Sequence, residues 1–126
     1  MIISALILGN RSLIMPDFSV KDSGKRIDYP SGMRRDIQSG KPRYDLIDLD
    51  FLERVAAHMA KGAEKYGEHN WRKANSQEEA DRFRASAFRH MIQWLRRETD
   101  EDHMAAVAFN LAAYEYVIKR ISNAGP

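Results

Sequence analysis

Four carboxylates, Glu98, Asp100, Glu101 and Asp102, fall within five consecutive residues. They are followed by His103 and an alanine-rich apolar run that ends in Asn110. Carboxylates packed so closely repel one another unless a positive charge sits among them. Magnesium or manganese would supply that charge, since both favour oxygen ligands. Next to basic side chains, such a centre points to phosphate chemistry. The alternative is purely structural: Thr99 or Asp100 caps a helix, while Glu101 and Asp102 complement its dipole. Glu98 does not fit that alternative. It follows the end of the preceding helix, where a negative charge opposes the dipole and calls for compensation, and this favours a cation.

Three further segments carry residues suited to a nucleotide. Upstream, Arg89 could grip a phosphate bidentately. His90 shares a helix face with Trp94 and Arg97, as Arg89 does with Gln93 and Arg96. His90 could equally be a half-buried histidine with no ligand. Asn110 lies in an otherwise apolar run and must find hydrogen bonds, either from a ligand or base or from nearby backbone. The stretch GAEKYGEHNW, residues 62–71, offers Lys65 to a phosphate, Tyr66 and Trp71 as stacking surfaces, and Asn70 as a donor and acceptor. Here the structural alternative is a helix end at Gly67 with Trp71 in the core. In GKPRYDLI, residues 40–47, Lys41 and Arg43 are candidate phosphate contacts, and Asp45 is a turn residue or a further metal ligand.

The elements that must hold these residues are helices. Leu52, Val55, Ala56, Met59, Ala60 and Ala63 recur at helical spacing, so a first helix starts near Asp48 or Asp50 and stops at Gly67. Asn75 or Ser76 caps a second helix, with Glu78 and Glu79 in its first turn and Phe83, Ala87, Phe88, Met91, Trp94 and Leu95 along it. Thr99 with Asp102 fits a capping box for a third helix, which runs to about Arg120 through Met104, Val107, Ala108, Leu111, Tyr114 and Ile118. The tight link between helices two and three makes them antiparallel and puts the acidic cluster at their turn. Alanines on several sides of helix three permit close packing, both on its own core and on a second subunit.

Ahead of the helices, ISALIL and RSLIM flank Gly9-Asn10 as in a two-residue hairpin, and Pro16 stops the second run. A disordered or mis-started N-terminus is the other possibility. Residues 17–41 are rich in turn formers and predict an extended, irregular arm. The expected architecture is therefore all-α, a helical bundle with a short N-terminal hairpin or arm. It forms a single domain over 1–126, with the arm at 1–44 and the helical core at 45–122.

The chain has 126 residues, enough for one core, with 20 basic and 18 acidic residues and a formal charge of +2. That balance gives no argument for nucleic-acid binding. There is no cysteine, which excludes disulfides, thiolate nucleophiles and zinc–thiolate sites. No apolar run reaches the roughly 18 residues a membrane span needs. The N-terminus also lacks the features of a signal peptide. The expectation is a soluble, cytoplasmic protein.

Taken in order, SGMRRDIQSGKPRYDLI, GAEKYGEHNW, ASAFRH and ETDEDHMAAVAFN resemble the phage dATP/dGTP diphosphohydrolase family, which belongs to the MazG-like all-α NTP pyrophosphatase superfamily. The resemblance covers about residues 31 to 116. It implies a helical bundle that assembles into dimers or tetramers, binds magnesium or manganese, and hydrolyses a purine deoxynucleoside triphosphate to monophosphate and pyrophosphate. It also implies a role in phages that replace adenine by 2-aminoadenine, where such enzymes supply dGMP; guanine is thus the first candidate base. Arg89, His90, Glu98, Asp100, Glu101, Asp102, His103 and Asn110 match the narrower family's motif, as do Lys65, Tyr66, Asn70 and Trp71. The chain departs from the EExxE and ExxD patterns usual in MazG-like enzymes: only Glu98-x-x-Glu101 matches in part, and Ala106 stands where the ExxD aspartate would fall.

The resulting expectation is a catalytic set of Glu98, Glu101, Asp102 and His90. Metal would be held by Glu98, Glu101 and Asp102, with Asp45, Glu53 or Glu64 completing the shell. Lys65, Tyr66, Asn70, Trp71, Arg89, Asn110, Lys41 and Arg43 would contact substrate. Two alternatives stay open. One is a histidine-aspartate phosphohydrolase that releases tripolyphosphate, although the four histidines include no adjacent His-Asp pair. The other is a nucleotide-binding module without turnover.

Overall fold

The computed structural model describes residues 19–125. The hairpin expected around Gly9-Asn10 lies outside them. The described residues divide into two compact units, with the boundary between Pro42 and Arg43.

In the first unit, the expectation of an irregular arm over 17–41 is corrected. A hairpin forms there, with β1 (Arg26–Asp28) antiparallel to β2 (Arg34–Asp36) and Arg26 facing Asp36, Ile27 facing Arg35 and Asp28 facing Arg34. The turn reads Tyr29-Pro30-Ser31-Gly32-Met33. Proline presets the turn, and Gly32 takes φ 92°, which a side chain would resist. The Tyr29 N–H donates to the Met33 carbonyl at 3.0 Å. Three-residue strands of mostly charged side chains carry no apolar alternation, so periodicity could not reveal them. Charge pairs across the strands add to the ladder: Arg34 to Asp28 at 2.6 Å and Arg26 to Asp36 at 3.8 Å.

The second unit is helical: a short 3-10 turn at Tyr44–Leu46, then α1 (Leu49–Tyr66), a second 3-10 turn at Asn70–Lys73, α2 (Gln77–Leu95) and α3 (His103–Ala124). The described residues are thus all-α with one small hairpin. Asp48 caps α1 by accepting from the Phe51 N–H at 3.2 Å, and Gly67 (φ 93°) ends it. Ser76 and Glu79 form a capping box at the start of α2. The Ser76 hydroxyl accepts from the Glu79 N–H at 3.2 Å, and the Glu79 carboxylate accepts from the Asn75 N–H at 2.9 Å. The capping box expected from Thr99 is not what starts α3. Asp102 itself is the cap, accepting from the Ala105 N–H at 3.1 Å, and α3 extends to Ala124.

α2 buries one stripe, Ala80, Phe83, Ala87 and His90, with Phe83 half-buried; α3 buries His103, Ala106, Asn110, Ala113 and Val117, spaced by three and four, and near its start Ala105 and Val107 on the flanking sides as well. Apolar residues expected along these helices partly fall off the stripes: Phe88 is 67% exposed, Leu95 61% and Leu111 53%. Ala74, Ala80 and Val117 form the core, flanked by Phe83, Tyr114, Ile118 and Ile121. Phe109 joins the surrounding elements, its ring lying 5.5 Å from His58 on α1, 5.8 Å from Trp71 and 6.2 Å from Phe83 on α2. No described helix is long and apolar enough to cross a membrane.

Candidate functional site

His90 ends the buried stripe of α2 and His103 begins that of α3, so the antiparallel pair of helices brings the two imidazoles together at the corner. They are 6% and 2% exposed, and their Nδ1 atoms lie 2.9 Å apart. His103 Nε2 meets Asp100 Oδ1 at 2.8 Å, and Arg89 reaches His90 Nε2 at 3.3 Å. One assignment of protons satisfies the whole series. Arg89 can only donate, so His90 Nε2 accepts and His90 carries its proton on Nδ1. That proton is donated to His103 Nδ1, and His103 donates from Nε2 to Asp100. Burial, then the charge of Arg89, holds the His90 pKa below its usual value and keeps the ring neutral. The hydrogen bond from His103 holds the Asp100 carboxyl below the ordinary carboxylate range.

Glu98 reaches this corner through the way α2 ends. The Glu98 N–H donates to the Gln93 carbonyl at 3.1 Å and the Arg97 N–H to the Trp94 carbonyl at 2.9 Å, while Arg97 takes the left-handed conformation (φ 63°). This is a Schellman turn, with arginine in the position glycine usually fills. It folds the chain back, so Glu98 accepts from Gln93 Nε2 at 3.3 Å and pairs with Arg96 at 3.3 Å. The compensation sought for Glu98 at a helix end is thus partly local.

Glu98, Asp100 and His103 each present one ligand atom, all within 4.8 Å of one another. Two carboxylates and an imidazole suit a divalent first-row ion. Gln93 donates from Nε2 to Glu98 at 3.3 Å, while its Oε1 is buried without a hydrogen-bond partner.

The other expected site residues are distributed as follows. Asp102 is engaged twice, as the cap of α3 and as a bidentate partner of Arg54 from α1 with both distances 2.8 Å; Arg54 draws its carboxyl down to about 2. Glu101 is exposed on the corner, and its charge acts on His90. Asp45 and Arg43 pair with each other at 2.7 Å, so the expected metal ligand and phosphate contact neutralise one another. Lys41, in the first unit, lies 3.9 Å from Asp36. Lys65 and Tyr66 are exposed at the end of α1, with the ammonium 5.1 Å from the ring centre. Trp71 packs edge-on against Phe109 and Tyr116, the core role foreseen as its alternative. Asn110 donates to the Ala106 carbonyl at 2.8 Å, so its buried amide serves backbone one turn back. Sequence reasoning had grouped Asp100 and His103 with the motif but left both out of the ligand set. A histidine three residues after an aspartate, across a helix start, was the available signal.

Two buried imidazoles and the carboxylates of Glu98 and Asp100 thus meet at one corner of a small helical unit, an arrangement able to hold a divalent ion. Comparison with known families specifies it further: the chain belongs to the family described as dATP/dGTP diphosphohydrolase, N-terminal, whose model matches residues 31–124. The family's description denotes a hydrolase. No curated protein and no solved structure matches the chain.

Proposed function

We propose that this chain is a metal-dependent diphosphohydrolase acting on dATP or dGTP, with dGTP first. In a phage that makes 2-aminoadenine, it would supply dGMP. The observation that carries this reading is the convergence of Glu98, Asp100 and His103 within 4.8 Å, inside the span the family matches. These three residues would hold the ion, and the imidazole favours manganese over magnesium, which prefers all-oxygen shells. When bound, the ion lowers the pKa of a water and neutralises phosphate charge. Water adds at the α-phosphorus, the α–β anhydride bond breaks, and pyrophosphate leaves with the bonding pair. Exposed Glu101 stands at the corner to take the proton of that water. Arg89 and Lys65 are the cations offered to the phosphates, and Tyr66 and Asn70 the exposed groups offered to sugar or base. His90, enclosed by His103 and Arg89, positions the site rather than touching substrate.

A second reading has one observation in its favour. The fold brings two histidines and Asp100 together although no histidine is followed directly by an aspartate in the sequence. A centre of that type would release tripolyphosphate. Incubation with a panel of nucleoside and deoxynucleoside triphosphates plus manganese, followed by product chromatography, separates the two: pyrophosphate is expected, and tripolyphosphate overturns the first reading. Chelation should abolish turnover. Glu98→Gln should lower it by at least about 10²-fold, since even residues that only orient metal ligands cost 10–100-fold, while helical circular dichroism stays unchanged. Retention of most activity in that variant would remove Glu98 from the ion site.

A further inference from the structure

The hydrogen-bond series Arg89–His90–His103–Asp100 runs in one direction only, and that direction is incompatible with a cation on His103. We propose that when Glu98, Asp100 and His103 take up a divalent cation, both imidazoles reverse their tautomers and Arg89 is released from His90. The inference rests on the metal reading above and concerns what the chain's own residues do in response.

The argument is one of donors and acceptors. Nε2 is the His103 nitrogen that faces Asp100, at 2.8 Å. To offer its lone pair to a cation, that nitrogen must lose its proton. His103 then carries its single proton on Nδ1, taken from His90 Nδ1 across their 2.9 Å contact. His90 in turn carries its proton on Nε2, regained from the one His103 gave up. Each ring keeps one proton and the pair stays neutral. Now His90 Nε2–H points at the Arg89 guanidinium, 3.3 Å away, which has no acceptor to offer. Two donors facing each other in a buried setting repel, and Arg89, whose residue is exposed, is the member free to leave.

The consequence for ligand binding is order. Before a cation arrives, Arg89 is occupied. Afterwards its planar fork is free for a bidentate grip on a phosphate. His90 thereby passes the state of the ion site to an arginine that never touches it, and the two affinities become reciprocally coupled.

Long-range ¹H–¹⁵N spectra of the full chain, labelled in histidine and arginine, test this with Zn²⁺ as a diamagnetic probe. Carbon-13 labelling of the Glu98 and Asp100 carboxyls reports binding separately. Without metal, the expected protons are on His103 Nε2 and His90 Nδ1, and the Arg89 guanidinium signals are distinct. With Zn²⁺, both rings should show the opposite tautomer, and the Arg89 signals should average as the group is freed. If the Glu98 and Asp100 carboxyl signals move with Zn²⁺ but His90 keeps its proton on Nδ1, the inference is overturned while the metal reading stands. If neither the carboxyls nor His103 respond, the metal reading fails and the inference goes with it.

Discussion

At the scale of single residues, Asp102 decides between two accounts of the acidic cluster. Both of its oxygens are held by Arg54, and it also caps α3. An aspartate so engaged stabilises a corner rather than presenting an open ligand. Arg54→Ala should then lower the melting temperature only slightly, as loss of an exposed pair does, and leave cation affinity unchanged. Thermal melts and manganese titration check this; a clear gain in affinity would mean that Arg54 had been holding a true ligand out of the site. The crowding of like charges was legible in the sequence, as was the need for something to offset it. Which carboxylates face inward was not, since that depends on a turn in which Arg97 adopts a left-handed conformation no pattern announces. His90 and His103 likewise read as lone helix histidines until the antiparallel pairing placed them face to face.

At the scale of elements, caps were the most readable feature: Asp48, Gly67 and Ser76 stop or start helices where residue chemistry demands. The α2 capping box also makes a pH prediction. Hydrogen bonds from the Asn75 N–H and the Ser76 hydroxyl hold the Glu79 carboxyl below its ordinary value of 4.5. A carboxyl depressed in the folded state binds fewer protons there than in the unfolded chain. Its contribution is therefore complete above about pH 4.5 and fades as pH falls through the lowered value. Amide protection in the first turn of α2, taken relative to intrinsic exchange at each pH, should fall selectively on acidification in this range. In Glu79→Gln that acid response should be weakened, and an unchanged response would assign it to other carboxylates. The charged hairpin and the exposed Phe88 and Leu95 were the elements least readable. Short charged strands have no period to detect, and α2 buries small residues where larger ones were expected.

At the scale of the whole helical unit, the interior is thin. Val117 is the largest side chain fully buried among the described residues, and α1 buries none. Meanwhile Phe88, Ile92 and Leu95 stand exposed on α2 at positions four and then three apart, one continuous helical edge. We expect this edge to pair with a second copy in solution, as the dimer or tetramer implied by the family resemblance would require. Phe88→Glu should therefore shift sedimentation towards a smaller species without loss of helical signal; an unchanged sedimentation coefficient would place any self-association elsewhere. One feature of the corner reaches beyond assembly. Arg97 stands in a conformation that costs arginine about 1 kcal/mol or more and glycine almost nothing. Glycine there would relax the backbone while keeping the two backbone hydrogen bonds that return Glu98 towards Gln93. Arg97→Gly should therefore raise thermal stability with the turn intact, and a library selected for heat tolerance would be drawn to glycine at that site.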